Sequence, residues 1–278
     1  MKKLSLICLP ALFLSSFVYA QRMPVPPAEQ DNHADVIAAN HIHFESIYTY
    51  TTEDKKDSSL LVRIEYNDSG KPVRKEQSQV TETYRYNDKG QLRKYVRTNF
   101  NSGEVTNEEY EYDSAGHELN AYEYNKDTTR LTTHKKEYNS KGQLTAVYIR
   151  RNASDFHADR AYYYNEEGKL TKTDVFGAEG GVSFSYTFEY DTHPDSRTEY
   201  LENQQGQRRT GQKIYNKSGR VVTVKSWTRG PFLGSRYRGQ GEVEIRADYL
   251  YNPDGTLAQQ NSTGIEKKRG LVYYYEKW

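Results

Sequence analysis

The run Tyr86-Asn87-Asp88-Lys89-Gly90-Gln91-Leu92 decides how this chain folds, because it returns as Tyr138 to Leu144 and again as Tyr164 to Leu170. Looser copies begin at Tyr66, Tyr112, Tyr190, Tyr215 and Tyr251. The gaps between successive key tyrosines are 20, 26, 26, 26, 26, 25 and 36 residues, and four equal gaps in a row mark an internal repeat. The Asn or Asp after each tyrosine bonds its own backbone to start a turn, and the glycine supplies the positive φ that closes it. Two residues before the key tyrosine stands another aromatic at Tyr84, Tyr110, Tyr162, Phe188 and Tyr249. Residues i and i+2 of a strand share a face, so each unit lays two rings on one side.

A second turn falls midway through many units, as at Asn101-Ser102-Gly103, Asn125-Lys126-Asp127, Gly177 to Gly181 and Asn203 to Gly206. One repeat is therefore a β-hairpin. The fold class is all-β, an antiparallel meander of about 15 strands. A sheet that wide must curl, here into a trough, a spiral or an open barrel-like sheet. In Leu92-Arg93-Lys94-Tyr95-Val96-Arg97-Thr98-Asn99 neither alternation is apolar. Tyrosine ladders then stand in for an aliphatic core. The chain carries 26 Tyr, against the aromatic poverty of disordered sequences.

Residues 1–20 read as a signal peptide: Lys2 and Lys3, an apolar stretch from Leu4 to Val18, and cleavage after Ala20. That implies a periplasmic or secreted protein. The one cysteine, Cys8, lies inside the signal, which excludes disulfides, zinc–thiolate sites and a cysteine nucleophile from the mature part. Residues 21–40, with Pro24, Pro26 and Pro27, read as a linker, and 41–278 as a single repeat domain with an inserted loop at 228–241. Residues 205–278 hold 14 basic and 6 acidic residues, so the C-terminal segment is strongly positive.

The Tyr-Asn-x-x-Gly units at 86–92, 138–144 and 164–170 resemble the YD repeats of the RHS family. The resemblance covers roughly residues 60–260. It implies noncatalytic strands wound into a spiral or hollow shell, of the kind found in cell-surface and toxin-delivery proteins.

Chemistry is sparsely signalled. His41, His43 and Glu45 share a strand face near His33, but no further ligand is indicated, so no metal is expected. No nucleophile elbow, zinc-protease or phosphate-loop motif occurs, nothing calls for a cofactor, and the chain is not expected to be an enzyme. The irregular feature is the inserted loop. Trp227, Arg229, Phe232, Arg236, Tyr237 and Arg238 are the candidate binding residues, because arginine and aromatic side chains together suit a flat or anionic partner. The function that follows is a non-enzymatic exported binding protein, not membrane-spanning, with a protein or anionic envelope polymer as partner and no nucleic acid. The alternatives are a periplasmic immunity protein neutralising a toxin, an outer-membrane β-barrel, and a carbohydrate-active enzyme. The barrel is suggested by the aromatic end Tyr273-Tyr274-Tyr275-Glu276-Lys277-Trp278 and opposed by charges on both strand faces.

Overall fold

The computed structural model describes residues 33–50, 58–124, 130–150, 155–192, 195–203, 206–229, 242–263 and 269–277. Helix α1 (His33–Ala39) precedes eighteen strands. These are β1 (Ile42–Tyr50), β2 (Ser59–Tyr66), β3 (Pro72–Gln77), β4 (Val80–Tyr86), β5 (Leu92–Asn99) and β6 (Glu104–Tyr112). Next come β7 (Glu118–Tyr124), β8 (Arg130–Tyr138), β9 (Leu144–Arg150), β10 (Phe156–Tyr164), β11 (Leu170–Phe176) and β12 (Val182–Thr192). The last six are β13 (Asp195–Asn203), β14 (Gly206–Tyr215), β15 (Val221–Arg229), β16 (Glu242–Tyr251), β17 (Leu257–Thr263) and β18 (Arg269–Lys277).

Each strand pairs antiparallel with the next, and β18 returns to pair with β1 from Ile42↔Lys277 to Tyr50↔Gly270. The sheet is thus a closed 18-stranded barrel. The antiparallel meander of hairpins is as the repeat predicts. The trough, the spiral and the count of about 15 are not. The key tyrosines account for sixteen strands, and the missing two are the ones that meet, β1 and β18.

Two devices repeat around the wall. First, the register slips by one at the key tyrosine of nearly every hairpin, as between Glu65 and Tyr66, Arg85 and Tyr86, and Glu137 and Tyr138. A bulge sharpens local bend and twist, and the same bulge recurring at a fixed step rolls a sheet shut. Second, the hydroxyls of most key tyrosines reach back to a backbone carbonyl of the preceding hairpin. Tyr112 donates to the carbonyl of Leu92 at 2.8 Å, Tyr138 to Glu118 at 2.9 Å, Tyr164 to Leu144 at 2.8 Å and Tyr190 to Leu170 at 2.9 Å. The residue that closes one motif is held by the tyrosine that opens the next. Tyr275 does the same for Leu257, making it a ninth key tyrosine.

In the turns, Asn139 Oδ1 accepts from the backbone of Lys141 and Gln143, while Gly142 at φ +75° donates to the Asn139 carbonyl. The side chain of Gln143 then bridges to the carbonyl of Gly168 in the following turn.

The two faces of the wall differ. Leu144, Val147, Tyr162 and Tyr95, on the key-tyrosine face, are 2–7% exposed. Leu60, Val105, Leu250 and Tyr274, on the other, are 52–58% exposed. Side chains converge on the concave side of a closed sheet and splay on the convex side. The tyrosine face therefore lines the lumen. Helix α1 lies at the end that carries the termini. It buries Ile37 completely against Ile42 and Tyr66, and the Asn40 side chain donates to the carbonyl of Asp254 at 3.2 Å. This helix falls within residues 21–40, read from sequence as a linker.

Candidate functional site: the barrel lumen

The lumenal wall is built of tyrosines anchored on charged groups. On β4, Glu82 accepts hydrogen bonds from the hydroxyls of Tyr84 at 2.8 Å and Tyr95 at 2.9 Å. Lys75 Nζ and Arg97 Nε stand 3.4 and 4.0 Å from the same carboxylate. On β6, Tyr110 donates to Glu108 at 2.6 Å. On β7, Glu118 holds Lys136 at 2.8 Å and His134 Nε2 at 3.1 Å. On this side each of the three carboxylates is held by lumenal neighbours, as buried Glu82 requires and half-buried Glu108 and Glu118 favour. Farther round, Leu144, Val147, Tyr162 and Leu170 form an apolar patch, with Tyr138, Ile149, Tyr164 and Phe188 against it. At the terminal end, the buried Glu45 carboxylate receives the Tyr66 hydroxyl.

The outer wall carries many charges, some of them in pairs. Arg63–Glu276 spans 3.6 Å, Lys94–Glu109 3.8 Å, Lys172–Asp174 2.9 Å and Arg246–Asp248 2.9 Å. Outside the strands, the Asp113 carboxyl is held below its ordinary range by hydrogen bonds from the His117 side chain and backbone. The His117 ring stacks on Tyr138 at 4.7 Å.

Of the candidate binding residues, Trp227 stands on the outer face of β15, buried, with the Arg209 guanidinium 3.7 Å over its ring. Arg229 pairs through its backbone with Glu242, and its side chain lies outside the described residues. Phe232, Arg236, Tyr237 and Arg238 also lie outside them. The cluster is therefore neither assembled nor dispersed by what is described. His43 sets a ring nitrogen 3.4 Å from the Tyr66 carbonyl, and Glu45 is engaged by Tyr66. Among the described residues, no three His, Cys, Asp or Glu converge.

The Glu82 and Glu118 clusters were missed by sequence reasoning. The signal for Glu82, and for Glu108, is the Glu-x-Tyr step at Glu82-Thr83-Tyr84 and Glu108-Glu109-Tyr110, and Glu118 carries no such step. An i, i+2 pair on a concave face brings the carboxylate and the hydroxyl together.

No known protein family matches the chain's sequence, and no curated protein matches it. Among solved structures, a porin-like protein from Bacteroides uniformis is similar at 11% identity, covering 84% of this chain and 98% of that one, with a TM-score of 0.46. A TcdB2–TccC3 structure is similar at 12% identity over 81% of this chain and 14% of that one, with a TM-score of 0.35.

Two expectations are corrected. The YD-repeat resemblance implies a spiral or shell, whereas β18 closes on β1. The Tyr-Asn-x-x-Gly unit is accounted for by the turn, bulge and hydroxyl latch of a barrel. The expectation of a chain that does not span a membrane, meeting a protein or anionic envelope polymer, rested on charges breaking both faces of an open sheet. Closure leaves no unpaired edge, and a closed barrel is the one β arrangement a bilayer admits.

Proposed function

We propose that this chain is an exported, non-enzymatic outer-membrane β-barrel that forms a water-filled passage. The observation that carries the reading is the seam between β1 and β18, which closes an even number of antiparallel strands, 18, through next-neighbour pairs alone. Barrels of 16–18 strands are wide enough to leave an aqueous channel. A nine-residue strand such as β6, tilted by about 40°, spans roughly 23 Å, close to the apolar thickness such barrels cross.

The ends support the same orientation. Both termini of the barrel lie at the end closed by the repeated Tyr-Asn-x-x-Gly turns, the pattern of short periplasmic turns. The two longest connections, 51–58 and 230–241, join strands at the opposite end, which on this reading faces outward. The signal peptide read at residues 1–20 supplies the export step.

The outer-face ion pairs decide the test. In water an exposed pair contributes about 0–1 kcal/mol. In lipid a lone lysine near the midplane costs about 2–4 kcal/mol, so its partner carboxylate matters far more. Asp174→Asn removes the carboxylate 2.9 Å from Lys172 in the middle of β11. The expected result is that the wild-type chain fractionates with detergent-extracted outer membrane and conducts ions in planar bilayers. The Asp174→Asn barrel should lose about 2–4 kcal/mol in lipid vesicles, read as a shifted urea midpoint. Recovery of the wild-type chain in the soluble periplasmic fraction would overturn the reading.

A further inference from the structure

We infer that His117 is a proton-operated bridge between two adjacent turns at the terminal end of the barrel, closed when its imidazole is charged and open when it is neutral. The inference does not rest on the channel reading, since it concerns a contact that this barrel carries in water or in lipid.

The rim at that end is stitched from turn to turn by the residue after the glycine. Lys71 Nζ donates to the carbonyl of Gly90, Gln91 Nε2 to that of Gly116 at 3.2 Å, and Gln143 Nε2 to that of Gly168 at 3.0 Å. The Arg220 guanidinium stands where a Cβ on Gly255 would lie. His117 holds the same place between the turns at 112–117 and 138–143. Its Nε2 would meet a Cβ on Gly142 at 2.7 Å, and its ring stacks on Tyr138 at 4.7 Å. Gln91 and Gln143, whose Nε2 atoms would meet the corresponding Cβ at 3.0 and 3.2 Å, bond the carbonyl of that same glycine. Lysine, arginine and glutamine carry their donors throughout the neutral range, whereas imidazole does not.

What sets His117 apart is the residue that holds it. In the turns on either side, Asn87 Nδ2 donates to Gln91 Oε1 at 2.8 Å and Asn139 Nδ2 to Gln143 Oε1 at 3.0 Å. Each glutamine accepts from its own turn and presents its amide protons to the next. At 113 the asparagine is replaced by aspartate, and a carboxylate can only accept. Asp113 Oδ2 lies 2.9 Å from His117 Nδ1, so that nitrogen carries a proton. A neutral imidazole then has none left for Nε2 and turns a lone pair toward Gly142. The imidazolium donates on both sides, to Asp113 and toward the Gly142 carbonyl. The other charged and titratable groups around it are Tyr138 beneath the ring and Glu118 next in the chain, which is already held by Lys136 and His134. Beyond these stand Lys141 on the turn it reaches and Asp88 and Lys89 on the turn before, all three exposed and screened by water. The bridge therefore stabilises the rim between the carboxyl and imidazole titrations, roughly pH 4 to 6.5, and is lost as pH rises through the second.

The test is hydrogen exchange on the full-length chain folded in detergent, at pH values about one unit either side of 6.5 and corrected for the intrinsic pH dependence of exchange. In the wild type, protection across residues 112–117 and 138–143 should be about fivefold higher on the acid side, the effect of one hydrogen bond of ordinary net strength. Protection across 164–169, which Gln143 bridges, should not change. The Asp113→Asn, His117→Gln double variant copies the turns on either side and should be equally protected at both pH values. His134→Gln, which removes the imidazole held by Glu118, should keep the wild-type difference. Equal protection at both pH values in the wild type overturns the inference. So does a difference that survives in the double variant or vanishes in His134→Gln, because His117 is then not its source.

Discussion

Gly270→Val should keep the barrel from closing stably, at a cost of about 3 kcal/mol. Gly270 faces Tyr50 across the seam, in the β1–β18 register, and Asn261 on its other side. The Tyr50 ring lies flat over it, where a Cβ would stand. The hydroxyl reaches past Gly270 to donate to Asn261 at 2.7 Å, and Gln259 donates to that hydroxyl at 2.7 Å. Tyr50 is thus a strap from the first strand, over the last, to the one before it. An aromatic ring laid over a strand glycine is a known way to recover the packing a glycine lacks. A valine at 270 removes the space the strap needs. Thermal melting followed by circular dichroism, and the mobility difference between heated and unheated samples on a gel, would read the loss. The Tyr50→Ala, Gly270→Val double variant should be no less stable than Tyr50→Ala alone, because the clash is gone once the ring is. Unchanged melting for Gly270→Val would mean that Tyr50 is not the closing strap.

What was legible in the sequence follows from what each signal depends on. The turns were legible because Asn139 and Gly142 act within five residues of chain, through bonds that local spacing fixes. The hairpin meander followed from them. Closure was not legible, since it depends on two things without a local signature. One is the one-residue slip at nearly every key tyrosine, as where Tyr86 pairs with Leu92 while Arg85 pairs with Lys94. The sequence reads the same with or without that slip, yet repeated around the wall it decides between trough and barrel. The other is the pairing of Tyr50 with Gly270, residues separated by nearly the whole chain. Charges on both faces argued against a membrane barrel, and the pairing of some of them was not legible: Lys172 and Asp174 are two residues apart on one strand, and the structure sets them against each other. The lumenal arginines were hidden for a related reason. Arg160 falls in the repeat opened by Tyr138 and Arg197 and Arg208 in the one opened by Tyr190, with no shared motif, so register brings them to one wall. The loop at 228–241 drew attention for the opposite reason, being the one break in the period.

Gly70→Ala should undock helix α1 without opening the barrel, and should cost about 2–3 kcal/mol more than Gly103→Ala. The two glycines have nearly the same backbone, φ +69° and +68°, so both substitutions carry the same left-handed strain of about 1–2 kcal/mol. Around Gly103 a Cβ meets open space, whereas at Gly70 it meets the backbone of α1, including the carbonyl of Ala34 and the nitrogen of Ala38. A backbone obstacle cannot rotate away as a side chain can, so the helix must move. What holds it is the burial of Ile37 against Ile42 and Tyr66, together with the Asn40 side chain on the carbonyl of Asp254. Burying one isoleucine contributes about 1.5–3 kcal/mol, which sets the expected difference between the variants. The barrel pairs around Tyr66 do not depend on α1, and the hydroxyl of Tyr66 keeps its bond to Glu45. Hydrogen exchange should therefore rise sharply across residues 33–41 in Gly70→Ala, while the strands keep their protection. Gly103→Ala should leave exchange in that segment as it is in the wild type. Equal exchange over residues 33–41 in the two variants would show that α1 is not seated on the first repeat's turn.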